Sequence, residues 1–417
     1  MITLLSAVLK RFITRGTLEV IYPDGRKIVY RGSDEFSASM RIHSENVVRG
    51  LLLNPGLAFG EAYMDGLIEP VNCTLYALMQ VIMSNDLGAG HVGEKVSGFL
   101  RYVKRSWSQF NPEKRAQKNV AHHYDLSRDF YKLFLDEDMQ YSCAYFSADT
   151  ISLEQAQLDK KRHIAAKMLL DKPDLEVLDI GCGWGGMAIT LAKEYGAKVT
   201  GITLSKEQLV VARQRVEEEG LQGQVRFELI DYRKVRKTFD RIVSVGMFEH
   251  VGVGYYDTFF SSVRRCLKDE GIMLLHSIGR SDGAGSTNPW IAKYIFPGGY
   301  SPSLSETFHS VEKSGLWVAD CEVLRFHYAM TLAEWYKRFR ENCQAVIKMY
   351  DERFYRMFSL YLVGAELTFR YQGHMNFQLQ LTPSANAIPL TRDYMFNAEK
   401  DHEAKYAGNT FIRRLLS

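Results

Sequence analysis

The sequence predicts an α/β protein, a doubly wound and mostly parallel sheet preceded by a smaller α+β unit. Apolar runs of strand length alternate with helical patterns between residues 176 and 276, the order that builds a parallel sheet. The first of these runs, Glu176-Val-Leu-Asp-Ile180, passes directly into Gly181-Cys-Gly-Trp-Gly185 and then into a helical pattern from Met187 to Glu194. Polar and titratable residues recur just past the strand ends, where ligands bind in such sheets.

Taken in order, the chain opens with an apolar stretch, Ile2 to Leu9, followed by Lys10, Arg11 and Arg15. That order is the reverse of a signal peptide. An amphipathic helix lying on a bilayer is one reading; packing onto its own domain is the favoured one. Thr17–Tyr22 and Arg26–Tyr30, joined by Pro23-Asp-Gly25, predict a hairpin. An apolar segment, Val47–Leu53, leads through Asn54-Pro-Gly56 to Phe59–Gly66, and no titratable pair appears here. Residues 1–110 are therefore expected to form an accessory domain, with 111–417 the catalytic one. The basic passage Arg101–Lys118 marks the boundary, either as a solvated helix face or as a contact for anionic headgroups. Beyond it a long amphipathic helix, Leu153–Leu170, leads to the sheet. Strands are expected at 177–180, 198–203, 225–229, 241–245 and 271–276, with helices at 187–194, 206–219 and 255–268.

The chemistry starts at the glycine turn. Gly181, Gly183 and Gly185 allow a tight turn and close approach of backbone N–H groups to a ligand. By itself this spacing also fits an ordinary strand–helix turn. The second strand narrows the choice, because it ends in Thr203-Leu204-Ser205 with no carboxylate where a dinucleotide enzyme places one for the ribose. A nucleoside ligand without a pyrophosphate remains, and S-adenosylmethionine is its obvious member. Asp179 either orients the turn, meets the methionine ammonium, or caps the next helix. Three further strand ends carry Asp231-Tyr232, Met247-Phe-Glu249 and His276-Ser-Ile278.

Composition excludes several classes. A net charge of +3 gives no argument for nucleic acid. The six cysteines form no C-x-x-C pair, so reduced thiols are expected rather than a disulfide framework or a zinc site, and no metal is implied. No apolar run reaches the roughly 18 residues of a membrane-spanning helix. A cytoplasmic protein is the expectation.

Taken together, His123-Tyr-Asp-Leu-Ser127, Gln140-Tyr-Ser-Cys-Ala-Tyr145, Val177–Gly185, Gly201–Ser205 with Gln208, Asp240–Gly252, His276-Ser-Ile-Gly279, Tyr294–Gly299 and His327–Leu332 resemble the cyclopropane-fatty-acyl-phospholipid synthases and the related mycolic acid methyltransferases. The likeness covers residues 119–380; Gly60-Glu-Ala-Tyr-Met-Asp-Gly66 extends it to the longer bacterial synthases. It implies the class I methyltransferase fold, S-adenosylmethionine, and methylene transfer to a cis double bond in phospholipid acyl chains. A bound bicarbonate would take the final proton, in a pocket of Cys143, Glu249, His276, Ile278 (through its backbone) and Tyr328. The resemblance assigns Tyr141 and Ser142 to the methionine end and Val177, Asp179, Gly181, Gly183 and Gly185 to the turn. It assigns Thr203, Leu204 and Gln208 to the ribose, and Tyr232 with Arg233 to the adenine. Blander readings stand beside these: a capping Glu249 with a surface His250, a satisfied core His276, a small buried Cys143.

Phe248, Tyr328 and Trp335 are candidates for cation–π stabilisation. Ala365 stands where some members carry a cysteine, so an active protein cannot require that thiol. Asn288–Gly299 reads either as a lipid mouth or as a buried lid. A bilayer surface met from the cytoplasmic side is the implied partner, with a homodimer left open. A methyl-branching enzyme on the same scaffold is the alternative; a lipid-binding protein without catalysis and a nucleic-acid methyltransferase are weaker readings.

Overall fold

The computed structural model describes residues 1–85 except Asp34, 126–148 and 151–415. The basic passage Arg101–Lys118, the expected boundary near residue 110 and most of the His123–Ser127 motif lie outside the described residues.

Near the N-terminus, α1 (Ile2–Phe12) turns Ile2 and Leu5 inward and leaves Met1 and Leu4 exposed. Packing onto its own unit, the favoured reading, is what is seen. The hairpin forms as expected: β1 (Thr17–Ile21) pairs antiparallel with β2 (Lys27–Arg31). Two strands without a clear sequence signal complete this sheet, β3 (Ser37–Ile42) parallel to β1 and β4 (Ile68–Pro70) antiparallel to β3. The apolar stretch near Val47 is helical, as α2 (Glu45–Leu53), capped by the Ser44 hydroxyl. Pro55 then starts α3 (Pro55–Met64), a position where its missing N–H is harmless. The last helix of this unit is α4 (Leu75–Met83).

After a helical turn α5 (Arg128–Tyr131), α6 (Leu153–Lys167) leads to the second sheet. It stops short of Leu170, where Leu169 takes a left-handed conformation with φ 51°. The sheet contains β5 (Glu176–Ile180), β6 (Lys198–Thr203), β7 (Val225–Leu229), β8 (Phe239–Val245), β9 (Leu267–Arg280), β10 (Trp317–Val323) and β11 (His374–Thr382). Their spatial order is β10-β11-β9-β8-β5-β6-β7. Only β11 runs antiparallel to its neighbours. Between them run α7 (Gly186–Tyr195), α8 (Lys206–Glu218), α9 (Tyr256–Cys266), α10 (Pro289–Tyr294) and α11 (Leu304–Ser314). The C-terminal part adds α12 (His327–Glu341), α13 (Cys343–Met349), α14 (Glu352–Tyr371) and α15 (Asp393–Leu415). β9 is longer than the expected 271–276, and its start at Leu267 ends the preceding helix two residues early.

Alternation along the strands gives two cores. Leu178, Ile180, Ile242 and Leu275 pack with Phe259 and Phe260 on one face; Val177, Val199, Val243 and Leu274 pack with Ile164 and Leu191 on the other. A third cluster is shared across the molecule. Tyr63, Met64, Leu75 and Met79 of the N-terminal helices join Phe130, Phe134, Trp335, Phe358 and Leu362 in it. The Gly60–Gly66 motif makes this junction. Trp290 lies against Gly60 and donates to the Met64 sulfur at 3.2 Å, while Glu61 accepts from Lys293 at 2.6 Å and Tyr294 at 2.9 Å.

Candidate active site

The carboxyl ends of β5, β6 and β8 open onto one cavity. Gly181, Gly183 and Gly185 all have positive φ, at 82°, 53° and 87°. Their roles differ. A Cβ on Gly183 would meet no atom within 4 Å, which is the cradle a ligand needs, whereas one on Gly185 would strike Phe227 at 2.7 Å. Gly181 and Gly183 line the cavity; Gly185 packs against β7, and Val177 is a fully buried strand residue. Tyr141, Ser142, Asp179, Thr203, Leu204, Gln208, Tyr232 and Arg233 all reach the cavity wall.

Two buried titratable groups, Asp179 on the cavity wall and Lys160 behind it, interact at one end of the cavity. Asp179 is 2% exposed and its Oδ2 has no partner; burial, opposed by Lys160, pushes the carboxyl up to about 7. Lys160 is fully buried, donates to Gln140 Oε1 at 2.8 Å and Ser142 Oγ at 2.7 Å, and is lowered by burial to about 8. An ammonium-and-carboxylate ligand complements this pair. At the end of β6 Thr203 Oγ1 donates to Gln208 Oε1 at 3.0 Å. Arg233 is clamped on Asp231 by bonds of 2.8 and 2.6 Å and lies 5.4 Å over the Tyr232 ring.

Beside this cavity stand the residues expected to finish the reaction. Glu249 Oε1 accepts from the Ile278 N–H at 2.6 Å, while Oε2 is buried without a partner. Burial, opposed by that N–H, lifts its carboxyl to about 7. His250 also lines the cavity, and burial lowers its ring to about 4, so the surface-imidazole reading does not hold. His276 is held through its backbone next to the cavity, its carbonyl accepting from Gly246 N at 2.9 Å. Its ring nitrogens lie 2.6 Å from the Asn376 amide and 3.1 Å from the Gln378 amide. Cys143 is 1% exposed and burial drives its thiol well above the ordinary range, so it is no thiolate nucleophile.

Cys143, Tyr328, Trp335 and Ile278 share the third apolar cluster, which touches the cavity through Tyr141. Tyr141 stacks on Trp335 at 5.1 Å and shares a 2.9 Å hydroxyl contact with Tyr361. Phe248 belongs elsewhere: it stacks on Tyr256 at 4.3 Å in the core under α9. Of the three aromatic candidates, then, Tyr328 and Trp335 are together and Phe248 is core. Ala365 packs at the edge of the shared cluster. The Asn288–Gly299 stretch is neither wholly a mouth nor wholly a lid, since Trp290 is buried against α3 while Pro297 and Gly298 border the cavity. Among the described residues no group of three or more His, Cys, Asp or Glu could hold a metal ion.

Sequence reading missed Lys160, Asn376 and Gln378. Lys160 sits in Asp159-Lys-Lys161, which reads as a solvated face, and only its tertiary partners bury it. The amides did leave a signal, a strict alternation of polar and apolar residues from Asn376 to Thr382.

Sheet order, the single antiparallel strand and the cavity at the glycine turn define a class I S-adenosylmethionine-dependent methyltransferase. A family model described as mycolic acid cyclopropane synthetase matches residues 111–379, and the chain belongs to that family. A second family, described only as a domain of unknown function, matches residues 4–89. The chain is similar to the cyclopropane-fatty-acyl-phospholipid synthase of Escherichia coli strain K12, with 41% identity over 336 residues, 80% of this chain and 85% of that one. It is also similar to tuberculostearic acid methyltransferase UfaA1 of Mycobacterium tuberculosis, 34% identical over 384 residues and 87% of each chain. Among solved structures, mycolic acid cyclopropane synthase CmaA1 complexed with SAH and CTAB matches with a TM-score of 0.60 and 34% identity. That match covers 66% of this chain and 99% of that one.

Proposed function

We propose that this protein adds the methyl carbon of S-adenosylmethionine to the cis double bond of an unsaturated phospholipid acyl chain and closes it into a cyclopropane. The observation that carries the reading is Glu249: a buried carboxylate with one oxygen held by Ile278 N–H and the other unpartnered, beside an aromatic cluster that excludes water. The name of the Escherichia coli relative supplies the substrate class.

An alkene is a weak nucleophile, so sulfonium and double bond have to be held in line and close together. Asp179 meets the donor's ammonium; Ser142, backed by Lys160, meets its carboxylate, with Tyr141 beside them. Thr203, Leu204 and Gln208 border the ribose and Tyr232 with Arg233 the adenine. The methyl's bond to the sulfonium sulfur breaks, releasing S-adenosylhomocysteine, as it bonds to one alkene carbon and leaves positive charge on the other. Tyr328 and Trp335 face that charge with their rings and keep out water that would trap it as an alcohol. Loss of a proton from the added methyl then closes the ring. Bicarbonate, held by Cys143, Glu249, His276 and Tyr328, would supply the base, and the unpartnered Glu249 Oε2 fits the hydroxyl of such an anion. The Ile278 N–H already serves Glu249, so that residue orients the carboxylate.

The protein would work as a peripheral enzyme on the inner face of the membrane, with residues 1–110 as an accessory unit and 111–417 as the catalytic one. The decisive assay incubates the protein with methyl-labelled S-adenosylmethionine and liposomes of unsaturated phospholipid, then reads acyl products by mass and NMR. Ring protons are expected. An added methyl branch would replace this reading with the one that the UfaA1 relative's name suggests, and no incorporation would sink both.

A further inference from the structure

Every residue of β11 after His374 is buried, yet alternate side chains from Asn376 to Thr382 are polar. A buried polar group without a partner costs about 1–3 kcal/mol, so each amide needs a reason to be there. The antiparallel register sets Gln378 opposite His276 and Asn376 opposite Ile278, on one face of the sheet.

The hydrogen bonds of this face can be ordered from one end. Lys167, 1% exposed, donates to Gln378 Oε1 at 2.7 Å and is ion-paired with Glu322. Glu322 is in turn bonded to His163 Nε2 at 2.7 Å, and His163 Nδ1 lies 2.5 Å from Glu399. An ammonium has no acceptor capacity, so Gln378 has to give Lys167 its oxygen. The Gln378 NH2 is then what faces His276 Nδ1 at 3.1 Å, and that nitrogen accepts. Burial keeps the ring neutral, holding it well below its usual range, so its single proton sits on Nε2. The Asn376 amide, 2.6 Å from Nε2, has to meet that proton with oxygen. A half-turn of the amide does so, giving Oδ1 the ring N–H as its partner and setting the NH2 where Oδ1 lay.

We propose that Gln378, oriented by Lys167, is a positioning residue that locks His276 in its Nε2–H tautomer, with Asn376 accepting that proton until an anion does. The lock follows from donor counting on a neutral ring; its bearing on turnover rests on the reaction proposed above. With the proton on Nδ1 instead, a lone pair would face the anion and repel it.

The full-length protein with 15N-labelled histidine reports the tautomer by NMR, the His276 signals being assigned by their loss in His276→Asn. The expected spectrum places the proton on Nε2. In Gln378→Glu both oxygens accept, one from Lys167 and one from the ring, so the proton moves to Nδ1. Turnover on unsaturated phospholipid then falls about 10–100-fold, the range for a group acting through its neighbour, while the KM for S-adenosylmethionine is unchanged. A wild-type proton on Nδ1, or wild-type turnover in Gln378→Glu, overturns the proposal. If that variant does not fold, the wild-type spectrum still decides. A wild-type Nε2–H tautomer without any lipid turnover would sink the proposed reaction and leave the lock standing.

Discussion

In the proposed reaction Glu249 concentrates the chemistry in one side chain. Its carboxyl is pushed up to about 7 because burial disfavours the charge, and the ionised form is the stronger acceptor for an anion's hydroxyl. kcat/KM is therefore expected to fall as pH drops through about 7. Glu249→Gln should abolish most turnover while calorimetric binding of S-adenosylmethionine stays as it was; undiminished turnover would remove the assigned role. Stability runs the other way. A carboxyl that keeps its proton longer when folded loses stabilisation as pH rises through about 7, so the same variant should melt higher than wild type at pH 8. Asp179 and Lys160 make a second pH signature. S-adenosylmethionine affinity should peak between about 7, below which Asp179 takes up a proton, and about 8, above which Lys160 loses one. A flat titration between pH 6 and 9 would separate these residues from the ligand.

At the scale of elements, the junction of α3 with α10 is sensitive to a single methyl group. A Cβ at Gly60 would come within 2.3 Å of the Trp290 ring, so Gly60→Ala is expected to cost about 1–3 kcal/mol, read by denaturant unfolding. β5 was legible because both its faces are buried, which makes it a nearly continuous apolar run, and the edge strand β7 because buried Val225 and Phe227 alternate with exposed Arg226. The weak strand β3, Ser37-Ala-Ser-Met-Arg-Ile42, was not, since its pairing with β1 is non-local and its residues favour no state strongly. β11 escaped notice because polar alternation normally marks a half-solvated strand, and here tertiary partners bury both faces. The wall of the cavity was readable at the strand ends. Lys160 was not, because its meaning comes from Gln140 and Ser142 folding back over it.

For the whole molecule, α14 is the common wall. Glu366 on this helix accepts from Tyr76 of α4 at 3.2 Å, and Tyr371 accepts from Gln80 at 3.1 Å. Little more than a turn before Glu366, Tyr361 reaches Tyr141 at the cavity. No described helix is long and apolar enough to cross a membrane. α14 links the cavity wall to α4. Saturating the protein with S-adenosylhomocysteine should slow amide deuterium uptake in Leu75–Met83, far from the ligand itself, and identical uptake with and without it would mean the two halves merely touch.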